Sequence, residues 1–153
     1  SRCSYEGQGA GLLEAAAEES VSRAYPVLLT TGEIARFDWR EMIRVLVRER
    51  AEGVPAGECA AAFMNTLVEL GVRQCLLARE RTGLTRVVLS GGSFQNQYLL
   101  SRLPGRLEEL GFTVFLHRQV SPNDEGLALG QLMIANAWRN HHVSGSTSEA
   151  YQD

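Results

Sequence analysis

Lysine is absent from this sequence, and all fifteen cationic side chains are arginine. That excludes a lysine Schiff base, a lysine nucleophile and the lysine phosphate clamp that stands behind a Walker loop. Cysteine is scarce. Cys3, Cys59 and Cys75 are odd in number and form no Cys-x-x-Cys pair, so neither a disulfide framework nor a zinc site is suggested. Cys59 and Cys75 fall inside a helical pattern and read as small core residues. Of the three histidines, His117 ends a predicted strand and His141-His142 sits in a polar tail; none has a partner at metal-ligand spacing. No run approaches the roughly 20 apolar residues of a membrane span, and the first residues lack the apolar core of a signal peptide. A cytoplasmic protein is the expectation. An excess of positive charge is missing too, and a formal net charge of −3 gives no electrostatic case for nucleic acid.

What is present describes an ordinary globular chain: 153 residues, 44% hydrophobic and 22% charged, enough for one domain with a core or one lobe of something larger. The stretch Val87-Val88-Leu89-Ser90-Gly91-Gly92-Ser93-Phe94-Gln95-Asn96 organises the rest. Val87 to Leu89 reads as a strand covered on both faces. The paired glycines permit φ > 0 and close approach of an oxygen-rich ligand to their N–H groups. A helical pattern follows from about Gln95, with Leu99, Leu100, Leu103 and Leu107 at intervals of three and four, and its first turn favours phosphate. The same turn serves equally as a tight strand-to-helix connection.

Residues 1–11 read as a polar, glycine-rich loop and Leu12 to Ala24 as a helix; a chain that opens in a loop is expected to have been cut there. Val27 to Thr30 and Ile34 to Phe37 flank Thr31-Gly32-Glu33, a β-hairpin whose glycine supplies the turn's positive φ. Asp38 with Glu41 forms the pattern of a capping box opening a helix from Trp39 to Glu52, which Gly53 ends. Pro55 fits the first turn of a long helix stopped by Gly83. Its apolar content, Ala60-Ala61-Ala62 included, predicts burial against a sheet. Pro104-Gly105 predicts a kink or break near Leu103. Phe112 to Leu116 is the next strand. A last helix from about Glu125 to Trp138 lines one face with Leu127, Gln131, Ile134 and Trp138, while Ala128, Gly130 and Ala135 allow a second face to pack closely. Residues 1–140 carry these elements, and 141–153 form a polar tail expected to be disordered.

In an open α/β sheet, ligands bind at the carboxyl ends of strands, and two loops occupy such ends. One is Ser90-Gly91-Gly92-Ser93 with Asn96; the other is Asn123-Asp124-Glu125-Gly126. If their strands are neighbours, a nucleotide phosphate chain on the glycines faces the Asp124 carboxylate, and a divalent metal bridges the two. Read from spacing alone, Asn123 or Asp124 serves as well as an N-cap of the last helix. Asn96 is equally a solvated first-turn residue, and Glu6 and Gln8 equally loop surface.

Ser90-Gly91-Gly92-Ser93-Phe94-Gln95-Asn96 and, about thirty residues on, Gln119-Val120-Ser121-Pro122-Asn123-Asp124-Glu125-Gly126-Leu127-Ala128-Leu129-Gly130-Gln131 closely resemble the C-terminal region of the hydrogenase maturation carbamoyltransferase family, HypF. Tyr5-Glu6-Gly7-Gln8 and Asp38-Trp39 match as well, so the resemblance covers about Arg2 to Trp138 in consistent order. It implies an α/β fold, the second lobe of an actin/Hsp70/sugar-kinase (ribonuclease-H-like) domain of the Kae1/TsaD type, with a small mixed sheet flanked by helices. It also implies a multidomain parent whose preceding domains are missing here. Such enzymes convert carbamoyl phosphate and ATP to carbamoyl adenylate, and the last domain passes the carbamoyl group to a C-terminal cysteine of a partner, HypE, on the way to the cyanide ligands of a nickel–iron hydrogenase.

By the same resemblance, Ser90, Gly91, Gly92 and Asn96 hold the nucleotide, Asp124 completes a divalent metal site and takes part in transfer, and Glu6 faces the ribose or the reacting group. The chain departs from the family's pattern in places. No His-x-x-x-His motif is present, so the metal site is incomplete within this chain. Ser93 replaces the usual valine, Glu125 the usual glycine, and Met64 stands where relatives tend to have histidine, which puts a direct catalytic role of that helix in doubt. The isolated chain, lacking half of an interlobe cleft, is expected to be inactive. Two other readings stand beside carbamoyl transfer to protein: a tRNA threonylcarbamoyl transferase-like enzyme, and a nucleotide-binding or docking module without chemistry.

Overall fold

A computed structural model describes residues 3–30 and 35–144. The chain forms two compact units, one from residues 1–88 and 96–115, the other from 89–95 and 116–153.

The first unit is built on its longest helix. Helix α1 (Gln8–Ala16) starts within the stretch predicted as loop; the Gly11 N–H donates to the Gly7 carbonyl at 3.0 Å in its first turn, and the Ser4 N–H donates to Gln8 Oε1 at 2.5 Å just before it. It stops at Ala16, well short of the predicted Ala24. Residues 18–24 are instead drawn out along the long helix α3 (Ala56–Thr82). The Glu18 N–H donates to the Gly57 carbonyl at 3.2 Å, and Asn65 Nδ2 donates to the carbonyls of Val21 and Arg23 at 2.8 and 3.0 Å. Tertiary hydrogen bonds override helix propensity here.

Strands β1 (Leu28–Thr30) and β2 (Arg36–Asp38) pair antiparallel with Leu29 opposite Phe37, as the hairpin pattern predicts; its turn, with Gly32, lies outside the described residues. Helix α2 (Arg40–Ala51) follows, but Asp38 is not its N-cap, a position that falls to Trp39. The Asp38 carboxylate accepts from the Arg40 N–H at 3.0 Å and pairs with the Arg40 guanidinium, which holds the carboxyl down at about 2. Glu41 pairs forward with Arg44, so the predicted capping box is replaced by two ion pairs.

Helix α3 runs from after Pro55 to Gly83, whose φ of 72° provides the left-handed C-cap. Ala60, Ala61 and Ala62 are fully buried, but the long helix meets chiefly helices α1, α2 and α4 (Gln97–Glu109) rather than a sheet. Each sheet has only two strands, too few to cover 27 helical residues. At Gly71 an added Cβ would stand 3.1 Å from the Leu103 side chain, a measure of how closely α4 approaches. Helix α4 continues unbroken through Pro104. Leu103 and Leu107, on either side of the proline, are both buried, and this packing outweighs the lost hydrogen bond to Leu100.

Strands β3 (Arg86–Leu89) and β4 (Thr113–Leu116) form the second pair. Leu89 is buried but Val88 is 67% exposed, so β3 is covered on one face and not on both. The order of hairpin, two helices, βα and βα matches the mixed α/β class expected.

Within the first unit, Tyr25, Met42 and Ala62 make a core against Val45, Leu46 and Phe63. Beside it the Glu49 carboxylate accepts from the Tyr25 hydroxyl at 2.6 Å and from both terminal nitrogens of Arg23, with Cys59 Sγ at 3.7 Å. Cys59 is buried and Cys75 partly buried, as core residues should be. The Tyr25 hydroxyl, and then Arg23, hold the Glu49 carboxyl below the ordinary carboxylate range, while burial and Glu49 push the Tyr25 hydroxyl up. A depressed folded value means this stabilisation is complete above the unfolded value of about 4.3 and is lost as pH falls through the folded one. Glu49→Gln should therefore cost about 2 kcal/mol near pH 7 and progressively less towards pH 3. Urea melts at both pH values check this; an equal deficit at both would refute the charge's role.

The second unit holds two 3₁₀ turns, Gly92–Gln95 and Asp124–Gly126, and helix α5 (Leu127–Ser144). Helix α5 outruns the predicted end at Trp138 and takes in His141 and His142; the tail beyond it lies outside the described residues. Leu127, Ile134 and Trp138 are exposed at 62, 57 and 68%. Ala128, Gly130 and Ala135 are exposed as well, so neither apolar face has the close neighbour that the pattern predicts. Within this unit α5 is the only α-helix among the described residues, and a helix apolar around much of its circumference has nothing there to cover it.

Candidate functional site

Two loops of the second unit face one another at the carboxyl ends of β3 and β4. After β3 the chain turns at Gly91, whose φ of 98° is in the left-handed region and whose N–H donates to the Pro122 carbonyl at 2.8 Å. That bond ties the glycine turn to the second loop. The Phe94 N–H then returns to the Gly91 carbonyl at 3.0 Å, forming the 3₁₀ turn. A Cβ built on Gly91 or on Gly92 meets nothing within 4 Å. These positions are therefore open to solvent and not glycine for packing.

The second loop is closed by Asn123. Its Oδ1 accepts from the Glu125 N–H at 3.1 Å and from the Ser121 hydroxyl at 2.7 Å, and it is the N-cap of the Asp124–Gly126 turn. Gly126 is needed for close approach: a Cβ there would stand 2.9 Å from the Ser121 carbonyl oxygen. With the cap supplied by Asn123, the Asp124 carboxylate is exposed and makes no hydrogen bond or ion pair among the described residues. The alternatives left open by spacing thus separate, Asn123 capping and Asp124 free.

Between the loops lies a cavity of about 650 Å³, lined by Ser90, Gly91, Gly92 and Asp124 and walled on one side by Leu127, Met133 and Ile134 of α5. The structure so brings together four of the six residues singled out by sequence. Asn96 and Glu6 belong to the other unit and are not among the lining residues. Asn96 is half-buried and stands just before its helix, not inside it. It is the N-cap of α4, its Oδ1 accepting from the Leu99 N–H at 3.0 Å and its Nδ2 3.9 Å from Sδ of the buried Met64. Glu6 is exposed in the turn before α1. His117, which carried no role in the sequence reading, lines the same cavity with its Nε2 2.9 Å from Ser90 Oγ. The available signal was its place directly after β4, matching that of Ser90 after β3.

The cavity's size suits a nucleotide-sized ligand, and the open space at the Gly92 main chain leaves room for its phosphates to approach. A metal is a partial fit. Among the described residues no three His, Cys, Asp or Glu side chains converge on a point, so there Asp124 offers a single carboxylate, and a cation at it would need ligands from outside the described residues.

Residues 1–131 match the family described as carbamoyltransferase, Kae1-like domain, second subdomain. The chain belongs to that family. This second subdomain is 33% identical over 131 residues to the carbamoyltransferase HypF of Synechocystis sp., covering 84% of this chain but only 16% of that protein. It is 30% identical over 125 residues to the tRNA N6-adenosine threonylcarbamoyltransferase of Sorangium cellulosum, covering 76% of this chain and 35% of that protein. Its fold matches a crystal structure of full-length HypF in the phosphate- and nucleotide-bound form with a TM-score of 0.81 and 37% identity, over 89% of this chain and 18% of the other. The Kae1-like subdomain is thus a small part of the length of its HypF relatives, which carry many more residues. No helix among its described residues is long and apolar enough to cross a membrane.

Proposed function

We propose that the full-length parent of this subdomain moves a carbamoyl group from carbamoyl adenylate, formed from carbamoyl phosphate and ATP in a preceding domain, to the C-terminal cysteine of a HypE-like acceptor in nickel–iron hydrogenase maturation. The observation that carries this reading is the single cavity shared by the open Gly91-Gly92 turn and the free Asp124 carboxylate, in a chain of the carbamoyltransferase family. With the Gly91 N–H held by the Pro122 carbonyl, the main chain from Gly92 onward and the Ser90 hydroxyl bind the nucleotide phosphates. Asp124 holds the divalent cation, whose other ligands lie outside this chain. When bound, that cation supplies positive charge to the carbonyl under attack. The reaction so described belongs in the cytoplasm.

The identity to a tRNA N6-adenosine threonylcarbamoyltransferase favours a second reading, with tRNA as acceptor. The net charge of −3 argues against a nucleic-acid surface. The parent protein given carbamoyl phosphate and ATP should label a peptide ending in cysteine, and given threonylcarbamoyl adenylate it should leave tRNA unlabelled. Label on tRNA adenosine would overturn the protein-acceptor reading. Label on neither would leave a binding module without chemistry.

A further inference from the structure

His117 follows β4 directly and Ser90 follows β3 directly, and the adjoining strand ends set the imidazole Nε2 2.9 Å from Ser90 Oγ. Both side chains line the cavity, whose lining contains no arginine or lysine and includes the carboxylate of Asp124. An anionic ligand there depends on N–H and O–H donors, so the direction of each hydroxyl proton matters. A serine hydroxyl has one proton to give and two lone pairs to offer. If Ser90 spends its proton on His117, only lone pairs face the cavity, and a phosphate oxygen meets repulsion. If Nε2–H donates to Ser90 Oγ instead, the hydroxyl proton is free for the ligand.

We propose that His117 is a positioning residue: by donating from Nε2 to Ser90 Oγ, it turns the Ser90 hydroxyl proton towards a phosphate oxygen held at the Gly91-Gly92 turn. The inference deepens the nucleotide reading of this cavity and rests on it. It separates the ligand's parts, because the imidazole acts on phosphate through Ser90 and leaves the nucleoside untouched. A phenylalanine fills the space of the ring without a donor. A glutamine keeps an N–H donor on a side chain long enough to reach Oγ.

The test is calorimetric titration of the full-length parent with ATP and with adenosine, the binding component belonging to this cavity being the one that Gly92→Val removes. His117→Phe should weaken that ATP component about tenfold, the loss of one hydrogen bond to a charged group, and leave adenosine affinity unchanged. His117→Gln should recover most of the loss. In a Ser90→Ala background, His117→Phe should add nothing, because the residue through which it acts is gone. Equal weakening of ATP and adenosine, no weakening of either, a glutamine variant as poor as the phenylalanine one, or additive losses in the double variant would each overturn the inference while the nucleotide reading stands. If Gly92→Val removes no ATP component, the nucleotide reading falls and this inference with it.

Discussion

Asp124→Asn is expected to remove most carbamoyl transfer by the full-length parent while the protein stays folded. The two residues that could cap the 3₁₀ turn have divided the work, since Asn123 accepts the Glu125 N–H and Asp124 is exposed in the cavity lining. Replacing Asp124 by its isostere leaves the cap intact, so stability should change by no more than a few tenths of a kcal/mol. What disappears is the anionic oxygen that holds a cation. Asn123→Ala is the control with the opposite profile, costing about 1 kcal/mol of stability through the lost cap while the carboxylate proposed to hold the cation remains. Transfer rates, metal content by plasma mass spectrometry and thermal melts on both variants decide the matter. Wild-type transfer with unchanged metal content in Asp124→Asn would reduce the second loop to a structural turn.

The second large effect belongs to Gly92→Val. Gly91 is a poor probe because its φ of 98° strains any side chain placed there. Gly92 has no positive φ and open space around its built Cβ, so the fold should accept valine with a melting temperature close to that of the unmodified protein. The same open space is where a phosphate must approach the main chain. A branched side chain there should displace about two charge-assisted hydrogen bonds, a roughly hundredfold loss of ATP affinity at this site. A valine variant that folds and keeps that binding would show that the paired glycines serve only the strand-to-helix turn.

Much of this arrangement is legible in the residues, and the parts that are not share a cause. Gly53 and Gly83 mark helix ends because left-handed φ is a local property that glycine announces, and both loops that line the cavity are visible as breaks after apolar runs. What escaped were outcomes decided by partners distant in sequence. The early end of α1 depends on Asn65 and Gly57 of α3. The survival of α4 through Pro104 depends on where Leu103 and Leu107 are buried. The displacement of the Asp38 cap is a local exception: Arg40 is two residues away, but nothing in the spacing says that its guanidinium takes the carboxylate. In the site, spacing left Asn123 and Asp124 equivalent, and only the turn's hydrogen bonds tell them apart. His117 stayed hidden because a lone histidine has no motif, and its significance lies in a contact across 27 residues.

The bond from the Gly91 N–H to the Pro122 carbonyl is made wholly of main chain. Side-chain substitutions on either loop leave both of its atoms in place, so long as the turn at residue 91 keeps its conformation. The walls of the cavity can therefore drift in sequence, one residue at a time, without the two loops coming apart. A lineage of such subdomains is free to change which ligand it favours while inheriting the same clasp.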